Sequence, residues 1–380
     1  MRIVHISDCY PPRLGGIETQ VRALAVRQAA VGHDVHVITS TPGTTLRRGT
    51  ESLDGVWVHR VTFPMPADLP IHPRVVHEIR ALLGTGGAAS GADAVHVHGG
   101  VVSPFAYPAA KVARDLGLPT VVTIHGVWAR VFSPLARLAD QITHWTQWGV
   151  ALTAVSDAAA LPIRRIVGPD IPVTLIPNGI DVEQWRLTPV AGDPDEVRLV
   201  AVMRLAPRKR AHALVGMTHA ASRELPQGRR LRLTIVGDGP ARRQVQRYID
   251  KHGLAHGRCA VDLAGRLSPA DVKSTLAASD VFIAPALLES FGIAALEART
   301  AGLPVLAFAQ TGISSFIHDG VEGLLAVDDA SMISSIVSIA SDDLLRATIA
   351  AHNRNTDPDE SWPQVLGIVE AAYARARLLD

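Results

Sequence analysis

The feature that most constrains this chain is an alternation of strand-like and helix-like segments that runs through it twice. In the first half, apolar runs of strand length fall at Arg2–Ser7, Val35–Thr39, Val56–Val61, Ala94–His98 and Thr120–Ile124, with helical patterns between them. Gly15-Gly16 opens one of those helices, expected from about Ile17 to Val31. The second half repeats the grammar at Arg198–Met203, Arg232–Val236, Val261–Ala264, Val281–Ala284 and Val305–Ala307. Strands that alternate with helices build parallel, doubly wound sheets. The fold class expected is therefore α/β, with two Rossmann-like domains in one chain.

A chain of 380 residues has room for two domains of ordinary size. The pattern breaks between Pro177 and Glu196, at Asn178-Gly179 and the polar Ala191-Gly192-Asp193-Pro194-Asp195 segment, so the seam is placed there. The expected domains are 1–180 and 181–360. A last helix, 361–380, starts at Trp362-Pro363 and is expected to pack back on the first domain. Ligands of such sheets bind at the carboxyl ends of the strands, and two facing sheets would make a central cleft.

Composition narrows the function. At 47% hydrophobic and 19% charged the chain is core-forming. A net charge of +1 implies no global attraction to nucleic acid or anionic lipid. Cys9 and Cys259 give neither a disulfide framework nor a metal spacing. With no signal-like start and no long uncharged apolar run, a cytoplasmic location is expected, with peripheral contact at the inner membrane face left open.

The densest chemical signal is Glu289-Ser290-Phe291-Gly292-Ile293-Ala294-Ala295-Leu296-Glu297. A helix starting near Gly292 would aim its first N–H groups and positive dipole end at whatever lies before Glu289, with Glu297 about one turn inside. Such a pocket suits an anion or a ring of hydroxyls, and a sugar diphosphate has both. The competing reading is an ordinary strand–turn–helix with two surface carboxylates.

Arg204 and Lys209 follow the first strand of the second half, five positions apart, with Pro207 between them. Cations at a strand end can neutralise a diphosphate and support its departure. The alternative is a solvated basic loop, the fate expected for Arg229, Arg230, Arg232, Arg242, Arg243 and Arg247. His125-Gly126 ends a strand and could reach a sugar hydroxyl or a developing charge; His98-Gly99 also ends a strand and competes with it. Gly15-Gly16 could admit a phosphate or be a tight turn. Without G-x-G-x-x-G or an acidic residue after Val37-Ile38-Thr39, a nicotinamide-dependent dehydrogenase is disfavoured. Asp193-Pro194-Asp195 and Asp357-Pro358-Asp359 match a metal pattern by letter but lie in proline-containing turns, so no essential metal is expected. Trp128, Phe132, Leu135, Leu138, Ile142 and Trp145 recur at helical spacing, as a packing face or as a lid or membrane-facing surface.

In this order the motifs resemble those of a retaining glycosyltransferase of family 4, the bacterial group 1 type with the GT-B fold of two Rossmann-like domains. The resemblance spans nearly the whole chain. It is carried by Pro11-Pro12…Gly15-Gly16-Ile17-Glu18, His125-Gly126, Val155-Ser156, Pro177-Asn178-Gly179-Ile180-Asp181, Arg204-Leu205…Lys209, Gly237-Asp238-Gly239-Pro240 and the Glu289 to Glu297 run. It implies a catalytic set of His125, Arg204, Lys209 and Glu289. It implies donor binding by Gly16 at the distal phosphate, Arg266 and Leu267 at the base, Phe291, Gly292 and Ile293 at the sugar, and Glu297 at the ribose. The implied reaction is transfer of a sugar from a nucleotide-diphosphate donor to a hydroxyl, with retained configuration and no cofactor. Because this donor site draws on both domains, closure on binding is expected. One departure is Met203, where many members have Gly before the Arg-Leu pair; a change in packing is expected there. With no carboxylate before Asp271 in the Gly265 to Pro269 segment, a UDP-sugar is favoured over GDP-mannose. The acceptor, whether sugar, natural product or lipid, is left open, as is the oligomeric state; no nucleic-acid partner is expected. A nucleotide-sugar epimerase, a phosphorylase and a non-catalytic nucleotide-sugar-binding module are the alternatives; the phosphorylase must find its cofactor lysine among Lys111, Lys209, Lys251 and Lys273.

Overall fold

The structure, a computed structural model, describes residues 1–13, 15–66, 69–127 and 144–379. The chain divides into two compact units, Met1–Gly179 with Trp362–Asp380, and Ile180–Ser361.

The first unit is built on strands β1 (Arg2–Ser7), β2 (Asp34–Thr39), β3 (Gly49–Leu53), β4 (Val56–Arg60), β5 (Ala94–Gly99), β6 (Thr120–Ile124), β7 (Ala151–Ala154) and β8 (Thr174–Leu175). Their order in the sheet is β3-β4-β2-β1-β5-β6-β7-β8. All neighbours are parallel except β3, which pairs antiparallel with β4. The fully parallel sheet expected from the sequence is corrected at this edge. Gly-Thr-Glu-Ser-Leu has no apolar run, because an edge strand half in water needs none. β7 and the two-residue β8 were also absent from the expected set.

The helices of this unit are α1 (Gly16–Ala30), α2 (Val75–Leu83), α3 (Ala106–Asp115), α4 (Asp157–Val167) and, from the far end of the chain, a helix over Trp362–Ala376. That terminal helix buries Trp362, Val365, Val369, Ala372, Tyr373 and Ala376 against Ile3, Leu24, Ala94, Val121, Ala151 and Ile176. Burial of each large apolar side chain contributes about 1.5–3 kcal/mol, so the last helix is part of this core although the whole second unit intervenes in the chain between it and β8. Its start is keyed by close packing: a Cβ at Gly179 would lie 2.5 Å from the Trp362 ring. Arg27 of α1 covers the same ring, 4.5 Å from its centroid. Gln20 of α1 completes the junction, donating to Gly179 O at 3.1 Å and accepting from Gly179 N–H at 3.0 Å.

The second unit contains β9 (Glu196–Val202), β10 (Arg230–Val236), β11 (Cys259–Gly265), β12 (Val281–Ala284), β13 (Val305–Phe308) and β14 (Gly323–Ala326), in the order β11-β10-β9-β12-β13-β14, all parallel. Renumbered within the unit this is 3-2-1-4-5-6, the dinucleotide-fold order, with the reversal between β9 and β12. Its helices are α5 (Val182–Trp185), α6 (Ala211–Glu224), α7 (Arg242–His252), α8 (Pro269–Ala277), α9 (Ile293–Thr300), α10 (Asp329–Ser341) and α11 (Asp343–Asn355); the terminal helix of the first unit is α12. Leu199, Leu233, Ile283 and Leu306 lie in a continuous core closed by Leu214, Val245 and Ile336 from the helices. The arginines expected on a solvated face are mostly spent on ion pairs, among them Arg229–Asp343, Arg230–Asp193 and Arg232–Glu196.

Candidate functional site

In the second unit the loops after β9, β10 and β11 are laced together by backbone hydrogen bonds. Met203 N–H donates to Val236 O at 2.9 Å, Leu205 N–H to Asp238 O at 3.0 Å, Ala241 N–H to Leu205 O at 2.8 Å and Gly237 N–H to Gly265 O at 2.7 Å. The lacing requires glycine: Gly237 has φ +128°, and a Cβ there would fall 1.9 Å from Met203 O. Met203 itself is partly buried against the core. This lacing fixes where Arg204 emerges, exposed at the end of β9.

A 3-10 turn over Pro207–Lys209 follows. Arg210 ends it in the left-handed region, φ 58°, a conformation that costs free energy and needs support. The support is Asp329, which accepts from the Arg210 guanidinium at 2.6 and 2.8 Å. The turn delivers Lys209 to Glu289, and the two form an ion pair with their side chains about one-fifth exposed. β9 and β12 flank the reversal in strand order, so this pair bridges the two loops where ligands of such sheets bind.

Glu289 is positioned by its own loop. Its carbonyl accepts from Gly312 N–H at 2.8 Å, and a Cβ at Gly312 would strike Ser290 O at 2.1 Å. Phe291 is buried against Phe316, with ring centroids 5.1 Å apart. Gly292, at φ +94°, caps α9, and Ile293 is the first helical residue. The first-turn N–H groups of α9 have no acceptors within the helix and are open to a ligand. Glu297 lies one turn further on, and burial pushes its carboxyl up to about 8 against the opposing pull of Lys273. Arg266, exposed, and Leu267, partly buried, follow β11. Ser268 then caps α8, its hydroxyl bonded to the Asp271 carboxylate at 2.7 Å.

In the first unit, Gly16 is the first residue of α1, exposed after the loop that leaves β1. Buried Arg60 steadies that loop, donating to Pro11 O at 3.1 Å and Thr41 O at 2.9 Å and pairing with Glu51. His125 follows β6, and burial lowers its pKa to about 4. Its Nε2 lies 3.1 Å from His98 Nδ1. The two histidines that compete in the sequence are therefore joined. Asp8, at the end of β1, accepts from Phe105 and Ala106 N–H at 3.0 and 3.4 Å, and burial raises its carboxyl to about 6.

Behind His125 lies a buried polar network that sequence reasoning missed. His5, His96 and His98 are each at most 3% exposed, and their nitrogens cluster closely enough to hold a metal ion. Those nitrogens already have partners: His5 with His98 and Gln28, His96 with Tyr373 and Thr123, His98 with His5 and His125. Burial lowers the pKa of His5 to about 4 and holds His96 and His98 well below the usual histidine value, so all are neutral near pH 7. A cavity of about 20 Å³, the size for about one water, lies between His98, His125 and Thr123 on the sheet side and Trp362 on α12. The only signal in the sequence is the alternation His96-Val97-His98 in an otherwise apolar strand. Of the tryptophan stripe, Trp145 lies in a 3-10 turn, Trp145–Gln147, while Trp128, Phe132, Leu135, Leu138 and Ile142 lie outside the described residues.

Two Rossmann-like sheets with charged and histidine-bearing strand ends define a GT-B glycosyltransferase. Residues 14–184 match the family model Glycosyltransferase Family 4, and residues 188–356 match Glycosyl transferases group 1. The chain belongs to these group 1, family 4-type glycosyltransferases. It is 28% identical to glycogen synthase of Mycobacterium tuberculosis (strain ATCC 25618 / H37Rv), over 99% of this chain and 95% of that protein. It is 25% identical to a phosphatidylinositol N-acetylglucosaminyltransferase of Arabidopsis thaliana, over 99% and 82%. Among solved structures, sucrose-phosphate synthase from Thermosynechococcus elongatus superposes with a TM-score of 0.74 at 20% identity, covering 100% of this chain and 99% of that one. Anabaena HepE in complex with UDP gives 0.73 at 18%, covering 98% and 100%. Among the described residues no helix is long and apolar enough to cross a membrane.

Proposed function

We propose that this glycosyltransferase moves a sugar from a nucleotide-diphosphate donor to an acceptor hydroxyl with retention of anomeric configuration and without a metal ion. The observation that carries the reading is the Lys209–Glu289 pair at the strand-order reversal, beside the open N-terminus of α9. An ammonium has three donors, and one on Glu289 leaves two for phosphate oxygens. Arg204, exposed at the neighbouring strand end, adds a second cation. Together they neutralise the diphosphate as the glycosidic bond breaks, the place where fixed charge is worth most. Glu289 and the backbone of Phe291, Gly292 and Ile293 take the donor sugar, and Glu297 takes the ribose hydroxyls. Arg266 and Leu267 hold the base by backbone contact, Gly16 N–H reaches the distal phosphate, and His125 lies beside the sugar. The departing phosphate accepts the acceptor's proton on the same face, which preserves the configuration.

A uridine base is favoured over guanine. The loop after β11 carries no carboxylate before Asp271, and that side chain is engaged by Ser268. Guanine's N–H groups would want an acceptor there. HepE, similar in fold, was solved with UDP and with UDP-glucose.

A panel of UDP-, GDP- and ADP-sugars, read by thermal shift and by nucleotide release with and without chelator, tests the reading. A UDP-specific response unaffected by chelator, with α-linked product from an α-donor, is the expected result. A chelator-sensitive rate removes the metal-independent reading, inverted product removes retention, and a guanosine-specific response removes the base assignment.

A further inference from the structure

The polar network of the first unit has a direction, and the direction can be read from one end to the other. Thr153 on β7 donates its hydroxyl hydrogen to Val122 O at 3.2 Å. Its oxygen is 2.6 Å from that of Thr123, so Thr123 is the donor of that pair. With the Thr123 hydrogen used, His96 Nε2, 2.7 Å away, must carry a proton. Neutral His96 then accepts at Nδ1 from the Tyr373 hydroxyl at 3.0 Å. Tyr373 O accepts from Gln28 Nε2 at 3.1 Å, which turns Gln28 Oε1 toward His5 Nε2 at 2.7 Å and places a proton there. His5 Nδ1 is left to accept from His98 Nε2 at 3.0 Å, and His98 Nδ1 to accept from His125 Nε2 at 3.1 Å. Each group spends its hydrogen once, and the order closes on a backbone carbonyl that can only accept.

We propose that this wire fixes the tautomer of His125, with the proton on Nε2 and the lone pair on Nδ1, so that His125 meets the donor sugar as an acceptor for a hydroxyl. Tyr373 and Gln28 are its positioning residues, acting through His5 and His98. The proposal rests on the reading that His125 lies beside the donor sugar. The burial that keeps each ring neutral is what the wire requires, since an imidazolium has no accepting nitrogen and would break the order. The tight side-chain amide is the switch: rotated by half a turn, Gln28 would present N–H groups to His5, and the proton on every ring from His5 to His125 would move to the other nitrogen.

Long-range nitrogen–proton NMR of the histidine-labelled protein reads this directly, with His125→Gln identifying the signal. The wild type is expected to show His125 protonated at Nε2 and bare at Nδ1. Tyr373→Phe removes the acceptor that orients Gln28, so the other His125 tautomer should become populated. The KM for the donor should then rise by about fivefold, the worth of one neutral hydrogen bond, with kcat changed less. In Tyr373→Phe/Gln28→Glu a carboxylate cannot turn into a donor, so the wild-type tautomer and KM should return. A wild-type His125 protonated at Nδ1 overturns the proposal without any variant having to fold. A Tyr373→Phe protein with an unchanged tautomer overturns the wire. A changed tautomer with unchanged donor KM overturns the positioning role by removing the placement of His125 at the sugar.

Discussion

The two sheets share a plan and differ in the chemistry at their carboxyl ends. Each puts its first strand at the centre and reverses order beside it, at β1/β5 and at β9/β12. In the second unit that edge is charged and open: Arg204 is exposed, and Lys209 and Glu289 are partly wet. In the first unit the polar groups are neutral, buried and satisfied by one another, from Thr153 to His125. A buried charge without a partner is costly, whereas a buried neutral chain with every hydrogen placed is cheap and rigid. The same fold thus supplies countercharge from one sheet and a fixed hydrogen-bond direction from the other.

The contrast is broken most directly at Lys209. Lys209→Ala should lower kcat by about 10²- to 10³-fold, the loss seen when a fixed group that stabilises developing charge is removed. Circular dichroism should show an intact fold. If Lys209→Ala and Tyr373→Phe slow turnover equally, the division between charge in one unit and orientation in the other is wrong.

The laced loops make the charged edge depend on backbone geometry. Gly237→Ala would drive a Cβ into Met203 O and strain a positive φ. A loss of about 2–3 kcal/mol is expected, read as a lower denaturation midpoint. A midpoint within error of wild type would show that the lacing does not hold the Arg204 loop. Arg204→Ala, by contrast, touches an exposed side chain: turnover should fall by roughly tenfold with the midpoint unchanged. Turnover unchanged would remove Arg204 from the diphosphate site.

What the sequence reveals follows the same division. Arg204, Lys209, Glu289 and Glu297 lie in short local motifs at strand ends, where one loop and one helix start decide the geometry. The doubly wound order is legible for the same reason, since each strand is its own apolar run. The wire is not, because its members come from β1, β5, β6, β7, α1 and α12, and the Gln28–Tyr373 link spans 345 positions. A histidine inside a buried strand carries no local mark of its partners. β3 and β8 escape notice because an edge strand needs no apolar signature, and two residues carry no period.

The smallest effect separates the two edges by pH. His125, lowered to about 4, stays neutral throughout the working range, so it should contribute no titration between pH 5 and 9. Glu297, raised from 4.5 to about 8, should titrate inside that range. The sign follows from linkage. Between these values the unfolded chain has released the proton and the folded chain keeps it, so folding takes up a proton and stability falls as pH rises through the window. Above about 8 both forms are ionised and the dependence ends. Donor binding should run the other way, because an ionised carboxylate accepts from both ribose hydroxyls, so the donor Kd should fall as pH rises through about 8. Glu297→Gln should flatten both trends, raising the alkaline melting temperature relative to wild type and weakening donor binding severalfold. A wild-type protein whose donor Kd is flat from pH 6 to 9 would place Glu297 away from the ribose; a slope that survives in Glu297→Gln would assign the titration to another group on the charged edge.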